Sequence, residues 1–146
     1  MSRRIAIASD HAAFAMKAEL AIWLREAGHE VLDLGTNGPE SVDYPDYGFA
    51  LGNAIADGRA DMGVALCGSG IGISIAVNRV AAARCALVSE PLSASLARQH
   101  NDANVIALGA RLIGTEMARA CITAFLETEF LGERHQRRVE KLSKGA

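Results

Sequence analysis

The sequence predicts an α/β fold, a three-layer α/β/α sandwich around a five-stranded parallel sheet. Three observations predict it: five short apolar runs, segments of helical period between them, and glycine or proline where elements join. Strands that alternate with helices are connected by crossovers, which make the strands parallel and cover both faces of the sheet. At 146 residues the chain can bury the core of one such domain, and we expect that domain to span residues 1–146.

Each predicted strand is nearly continuous in isoleucine, valine, leucine and alanine, with no alternation of polar residues. Continuous apolar strands are typical of a sheet buried on both faces. In chain order, the predicted strands are residues 4–9, 30–34, 61–66, 84–88 and 104–108. This arrangement is Rossmann-like, and sheets of that kind bind ligands at the carboxyl ends of their strands.

The segments between the strands carry apolar residues at helical spacing. Gly28 ends the first helix, Gly58 ends the second, and Pro91 suits the first turn of a later one. The predicted helices cover residues 13–27, about 47–58, 91–101, about 117–125 and 134–142, and the last of them is basic.

Composition and charge exclude several classes of protein. Half of the residues are hydrophobic and the net charge is -2, which is ordinary for a globular protein and argues against a broad nucleic-acid or membrane-binding surface. The apolar run that ends at Ser9 is too short for a signal peptide or a spanning helix. Cys67, Cys85 and Cys121 cannot all pair and lack metal-site spacing, so we expect reduced thiols in the cytoplasm.

The segment after the third strand is the richest in possible chemistry. It reads Cys67, Gly68, Ser69, Gly70, Ile71 and Gly72. Glycines at a strand-to-helix turn expose backbone N–H groups, which form an anion site at a helix N-terminus. Beside them the Cys67 thiolate could take a proton from a carbon next to a carbonyl, and the N–H groups could stabilise the enediolate.

The segment has a structural interpretation as well, and one functional interpretation is excluded. Cys67 could be a buried structural cysteine at a tight turn, as free cysteines often are. A nucleotide loop is excluded, because no Gly-Lys-Ser or Gly-Lys-Thr follows the turn and the glycines come after the third strand, not the first.

Two further segments carry acids and imidazoles. Asp10 and His11 follow the first strand and could orient a sugar hydroxyl or bind phosphate, although Asp10 could also cap a helix beginning near Ala12. His100 and Asn101 close the helix predicted at residues 91–101. His100 could be a general acid that opens a sugar ring, or part of a simple helix-stop sequence.

Basic residues offer a site for an anion. Arg134 and Arg138 share one face of the last helix, and Arg111 follows the fifth strand. By charge alone, a solvated surface helix is the better interpretation of the pair. A metal site built from Asp10, His11, Cys67 and His100 is conceivable, but the spacing matches no known ligand set, and we predict neither a metal nor any other cofactor.

Taken together, these segments resemble the B-type ribose-5-phosphate isomerases and the wider group that includes the galactose-6-phosphate isomerase subunits. The matching stretches occur in the family's order and cover nearly the whole chain. They are residues 9–11, 43–45, 67–74, 89–91, 98–105, 109–111 and 134–139.

The resemblance implies an aldose–ketose isomerase that interconverts ribose 5-phosphate and ribulose 5-phosphate through an enediolate. Cys67 matches the family's proton-abstracting cysteine. Some members use a glutamate a few residues later, but residues 71–75 contain no acid. His100 matches the ring-opening residue, with Asp10 assisting, and residues 68–72 match the anion hole. Ser69, grouped with the catalytic residues, stands where many members have threonine.

The resemblance also implies the remaining contacts to a sugar phosphate. Asn101 would hold the sugar and Tyr44 would line the pocket, while the phosphate-binding set would be His11, Arg111, Arg134 and Arg138. The family forms dimers or tetramers whose sites are shared between subunits, so the terminal helix would reach a neighbour's pocket, which revises its interpretation as a mere surface helix.

Alternatives remain open at this point. The same chemistry could act on allose 6-phosphate, galactose 6-phosphate or erythrulose 4-phosphate. A non-catalytic, flavodoxin-like binding module is a second alternative. A phosphoacceptor receiver would carry lysine after the fifth strand, where Gly109, Ala110 and Arg111 stand instead, and a redox enzyme would carry a resolving cysteine.

Overall fold

The structure, a computed structural model, describes residues 1–146 and contains five strands and six helices. The strands are β1 (Arg4–Ser9), β2 (Glu30–Asp33), β3 (Met62–Cys67), β4 (Cys85–Leu87) and β5 (Val105–Gly109). The helices are α1 (Phe14–Glu26), α2 (Tyr44–Ala56), α3 (Ile71–Asn78), α4 (Pro91–Asn101), α5 (Thr115–Glu127) and α6 (Arg134–Lys144).

All strand pairs are parallel, and the strands lie in the order β2-β1-β3-β5-β4. The predicted α/β fold is therefore confirmed. In the register, Ser9 pairs with Leu66 and Cys67 pairs with Gly109. The next residue of the first strand, Asp10, therefore comes opposite Cys67, and the carboxyl ends of three neighbouring strands meet at one edge of the sheet.

Each face of the sheet has its own apolar cluster. Large residues such as Ile7, Leu66 and Leu108 point toward α1, α4 and α5. The other face presents small residues such as Ala8 and Ala65, with Cys67 among them, to α2 and α3. Small side chains on this face let α2 and α3 pack close to the strand ends, where the glycine segment lies.

Glycine also permits the close contact between α2 and α3. A Cβ atom built on Gly48 would lie 2.6 Å from Cβ of Ala76, and one built on Gly52 would lie 2.6 Å from Cγ2 of Val80. These positions cannot hold a side chain unless the helices separate. Because α3 begins at the glycine segment, this contact helps to hold that segment in place.

Element bounds differ from the prediction by a few residues. β3 extends one residue further than predicted, because Cys67 still pairs with Gly109, and β4 is shorter than the predicted strand 84–88. α2 begins at Tyr44, before its apolar stripe, with Pro45 in the first turn. No helix is long and apolar enough to cross a membrane.

Candidate active site

The carboxyl ends of β1, β3 and β5 surround a small open cavity of about 350 Å³. We call it the strand-end cavity. Its lining residues are Asp10, His11, Ala12, Gly68, Ser69, Arg111 and Leu112. Five of these were predicted site residues, so the sheet brings together side chains from three separate segments at the edge where ligands are expected.

Cys67 ends β3 beside this cavity and is 5% exposed. The backbone N–H of Gly70 donates a hydrogen bond of 3.1 Å to its Sγ atom. This bond holds the sulfur against the turn that leads into α3. The geometry can thus provide a sulfur base that is shielded from bulk water.

The glycine segment forms a tight turn between β3 and α3. Gly70 has a φ of 79°, in the left-handed region that glycine adopts without strain, and α3 begins at the next residue. The N–H groups of Gly68 and Ser69 donate to no acceptor in the protein, while the Ser69 Oγ atom accepts from the N–H of Ile71 at 3.1 Å. Two free N–H groups on the cavity wall are what an oxyanion hole requires.

Asp10 and His11 lie on the opposite wall. Asp10 is 7% exposed, and its Oδ1 atom accepts the N–H of Ala12 at 3.0 Å. Asp10 is not a helix cap, as one interpretation had it, because α1 begins only at Phe14 with Ala13 as its N-cap. The Nδ1 atom of His11 accepts the N–H of Val42 at 3.1 Å, so a neutral His11 carries its proton on Nε2.

Arg111 and Tyr44 flank the glycine segment. A Cβ atom built on Gly68 would lie 3.2 Å from Cδ and 3.3 Å from Nη1 of Arg111, so this exposed guanidinium passes directly over the turn. Tyr44 packs against Gly72, where an added Cβ would lie 2.6 Å from Cε1 of the ring. Arg111 therefore contributes a positive charge to the cavity, whereas the Tyr44 ring packs against the turn at Gly72.

The predicted residues of α4 and α6 form a second group, which together with His135 we call the α4–α6 cluster: His100, Asn101, Arg134, His135 and Arg138. His100 lies in the last turn of α4, and its ring stacks on that of His135. Asp102 ends this helix with a φ of 46°, so the helix-stop interpretation of this sequence is also correct. Arg134 and Arg138 are exposed on α6. After burial, their positive charges are among the causes that lower the pKa of His135.

The two groups lie at opposite edges of the sheet within one chain. α4 leads into the start of β5, where Val105 pairs with Gly63, whereas Cys67 pairs with Gly109 at the other end. Four residues of strand separate these ends, which is about 13 Å at roughly 3.3 Å per residue. A single chain therefore does not bring His100 or Asn101 to Cys67.

The two other cysteines differ from Cys67. Burial raises the pKa of the Cys85 thiol to about 12. Burial, with the charge of Glu90, also raises the pKa of Cys121, which lies in the apolar cluster between α5 and the sheet. Neither is among the residues that line the strand-end cavity.

Comparison with known proteins adds a second line of argument. Residues 5–142 match the family described as Ribose/Galactose Isomerase. The chain belongs to this family. It is 45% identical to "Ribose-5-phosphate isomerase B" of Escherichia coli (strain K12), covering 97% of this chain and 95% of that protein. It is 42% identical to "D-erythrulose-4-phosphate isomerase" of Pectobacterium atrosepticum, covering 94% and 91%.

A solved structure is similarly close. A ribose 5-phosphate isomerase from Thermotoga maritima has a TM-score of 0.95 and 48% identity, covering 98% of this chain and 99% of that one. The predicted resemblance to the B-type isomerases is therefore confirmed. As a sugar-phosphate isomerase of the ribose/galactose isomerase family, the chain is an aldose–ketose isomerase and not a non-catalytic binding module.

One residue of the α4–α6 cluster had no predicted role. His135 is buried, with an Nε2 atom that has no hydrogen-bond partner, and it lies four residues before the buried Val139. The spacing of His135 and Val139 was the available signal, because it places both on the inner face of the last helix. Sequence reasoning attended to the two arginines and so overlooked that face.

Proposed function

We propose that this chain interconverts ribose 5-phosphate and ribulose 5-phosphate through an enediolate, with Cys67 as the base and without a metal ion. One observation carries the proposal. Cys67 directly precedes Gly68 and Ser69, whose two free N–H groups belong to the lining of a cavity that also contains an acid, an imidazole and a guanidinium. A base next to an anion hole is what proton transfer beside a carbonyl needs.

The reaction begins with opening of the furanose ring. His100 donates a proton to the ring oxygen while Asp10 accepts the proton of the O1 hydroxyl, which leaves an aldehyde at C1 and a hydroxyl at C4. His11, Arg111, Arg134 and Arg138 bind the phosphate. Asn101 holds the sugar, so that binding energy from the remote phosphate fixes the reacting carbons.

Proton transfer follows on the open chain. The Cys67 thiolate takes the proton from C2, and the electron pair of that C–H bond moves through C1 onto O1, giving the enediolate. The free backbone N–H groups of Gly68 and Ser69, with the Ser69 hydroxyl, stabilise this oxygen. Cys67 then returns the proton to C1 while the O2 proton moves to O1, which leaves the ketone of ribulose 5-phosphate.

We further propose that each site is completed by a second copy of the chain, in a homodimer or in a tetramer of such pairs. Since His100 and Cys67 are at opposite edges of the sheet in one chain, a reaction that uses both needs two chains. Exposed apolar side chains beside the glycine segment, Ile71, Leu87 and Leu92, are consistent with a subunit interface at this point. The three free thiols are consistent with a cytoplasmic location.

The second candidate function is the same reaction on another sugar phosphate. The Pectobacterium relative, at 42% identity, is named for erythrulose 4-phosphate, which makes a four-carbon substrate the first alternative. Allose 6-phosphate and galactose 6-phosphate are the six-carbon alternatives. A panel of these four substrates ranks them by kcat/KM, and a tetrose phosphate that exceeds ribose 5-phosphate tenfold would replace the proposal.

The main test compares wild type with Cys67→Ala on ribose 5-phosphate, with and without EDTA. We expect wild-type activity to survive EDTA and the variant to lose about 10³-fold in kcat, the usual contribution of a general base. Cys85→Ala is the matched control, because that thiol lies away from the cavity. Full activity in a folded Cys67→Ala protein, or loss of wild-type activity in EDTA, would contradict the mechanism.

The shared site has its own test. Cys67→Ala and His100→Asn are each expected to be inactive, but a refolded one-to-one mixture should recover about one quarter of wild-type activity, because half of the random pairs contain one intact site out of two. If the mixture stays as inactive as its parents, each site belongs to one chain.

A further inference from the structure

The imidazoles of His100 and His135 form a stacked pair that joins two helices. Their ring centroids are 4.6 Å apart and their planes differ by 13°. His100 comes from the last turn of α4, and His135 from the first turn of α6. Offset stacks at this distance contribute a specific geometry in addition to burial of area.

The His100 ring makes no hydrogen bond within the protein that would orient it. Neither ring nitrogen donates to or accepts from any protein group, and the side chain is only half-buried at the end of a helix. Catalytic imidazoles are ordinarily oriented by a hydrogen bond from the second ring nitrogen. In its absence, the face of His135 is what restricts the His100 ring.

His135 itself is held firmly. It is 5% exposed and lies on the inner face of α6 with Val139. Burial lowers its pKa, and the charges of Arg134, His100 and Arg138 lower it further, whereas Glu133 acts in the opposite sense. A buried ring whose charged form is disfavoured can orient the His100 ring with less repulsion of a protonated His100.

We propose that His135 is a positioning residue for His100, whose ring it holds by stacking in the orientation that ring opening requires. The inference rests on the proposed function, in which His100 is the ring-opening acid. His135 does not touch the substrate in this proposal. Its contribution is the flat face that fixes the second angle of the His100 side chain, because a general acid misdirected by about 1 Å loses much of its effect.

A purely structural role is the competing explanation, since His135 also packs α6 against α4. Two substitutions of similar size separate the two roles. His135→Leu keeps apolar packing but removes the flat ring, whereas His135→Phe keeps a flat ring but removes both nitrogens. Thermal stability, kcat and KM on ribose 5-phosphate are measured for both variants.

We expect His135→Leu to lower kcat by about tenfold to a hundredfold with KM changed less than about threefold. His135→Phe should retain most of kcat. In the His100→Asn background, His135→Leu should cause no further loss, because nothing remains to be positioned. The ring protons of His100 should show an upfield NMR shift in wild type and in His135→Phe.

Each contrary result points to a different failure. If His100→Asn keeps full activity, the proposed role of His100 is wrong and the inference fails with it. If His100→Asn is inactive while His135→Leu keeps full kcat, the proposed function stands and the positioning role is wrong. Equal losses of kcat in the Phe and Leu variants at unchanged stability would overturn the stacking argument. Should His135→Leu not fold, His135→Met takes its place.

Discussion

The backbone N–H of Gly70 donates a hydrogen bond of 3.1 Å to the Sγ atom of Cys67, three residues earlier in the chain. The turn that creates this bond requires the left-handed backbone of Gly70, whose φ is 79°. The position of the sulfur and the conformation of Gly70 are therefore linked. Cys67 ends the strand, and the turn at Gly70 directs a backbone N–H at its sulfur.

The first prediction concerns Gly70→Ala. A Cβ atom there would lie 2.7 Å from Cδ1 of Leu87 and 2.9 Å from the carbonyl carbon of Leu108, so the turn must shift and its N–H must move away from the sulfur. We expect a loss of at least about tenfold in kcat and of about 1–2 kcal/mol in the free energy of unfolding. Steady-state kinetics and urea denaturation measure the two effects.

Gly58→Ala is the matched control for Gly70→Ala. Gly58 has a similar positive φ of 73°, but a Cβ atom there would have nothing within 4 Å. It should lose stability through backbone strain alone and keep its kcat. An equal loss of kcat in both variants would mean that the Gly70 N–H has no special role.

Arg111→Met tests the cationic wall of the strand-end cavity. Since the guanidinium lies over Gly68 with an open side toward solvent, its expected role is to bind phosphate. Charge-assisted hydrogen bonds contribute about 1.5–3 kcal/mol, so KM for ribose 5-phosphate should rise about 10- to 100-fold, with a smaller change in kcat.

The control for Arg111 is Arg59→Met, which removes an exposed ion pair with Asp57. Such pairs contribute about 0–1 kcal/mol, so neither KM nor stability should change much. If Arg111→Met left KM unchanged while lowering kcat, the guanidinium would act on the reacting carbons and not on the phosphate.

A buried lysine outside the cavity carries the third prediction. Lys17 of α1 is 1% exposed, and its Nζ atom donates to both carboxylate oxygens of Asp33 at 2.7 Å and to Oδ1 of Asn37 at 2.9 Å. The bonds tie α1 to the loop after β2, whose Gly35 and Thr36 pair with the backbone of Ser9. Lys17 thus stabilises the loop that hydrogen-bonds to Ser9, the residue immediately before Asp10.

Lys17→Met should lower the free energy of unfolding by about 3–5 kcal/mol, because it leaves the Asp33 carboxylate without its partner. Urea denaturation measures this loss. The double variant Lys17→Met/Asp33→Asn removes the stranded charge and should recover part of the loss. A double variant less stable than Lys17→Met would show that the ion pair is not the source of the effect.

The fourth prediction concerns acid stability. His29 Nδ1 accepts the backbone N–H of Arg3 at 3.1 Å, a bond that protonation of Nδ1 breaks. Burial, then the charges of the N-terminus and Arg3, lower the pKa of His29 from 6.5. The unfolded chain therefore binds this proton more readily, so stability is complete above about pH 6.5 and declines as the pH falls below it.

His29→Asn supplies an amide oxygen that can accept the same N–H and does not titrate in this range. We expect its free energy of unfolding to fall less steeply than that of wild type between pH 7 and 5. Some pH dependence of the free energy of unfolding should remain in His29→Asn, because the pKa of His135 is also lowered in the folded protein. Identical pH dependence in the two proteins would exclude His29 as a contributor.

Much of this architecture followed from local sequence patterns. Pro91 and Asn101 were predicted to bound α4, and they do. The buried runs predicted a parallel sheet, whose register then brought Asp10 and Cys67 to the same edge. Local periodicity and turn chemistry suffice for such features, because each depends on residues within a few positions of one another.

The position of His100 relative to Cys67 could also be predicted from the order of helices and strands. A residue that precedes a strand lies at the opposite edge from one that follows a strand, so His100 and Cys67 had to be separated in a parallel sheet. The family resemblance implies that both are site residues, and topology alone does not say whether a second chain brings them together.

By itself, the sequence determined the α/β class, the order of the elements and a sulfur beside an anion-binding turn. Only the tertiary structure decided that the Gly70 N–H meets Sγ, that Lys17 is buried against Asp33, and that His135 stacks on His100. The physical reason is how far apart in the sequence the interacting residues are. Periodicity and turn propensity are set by neighbours in the chain, whereas contacts between distant residues depend on how whole helices pack, and that geometry is fixed only when the core is complete.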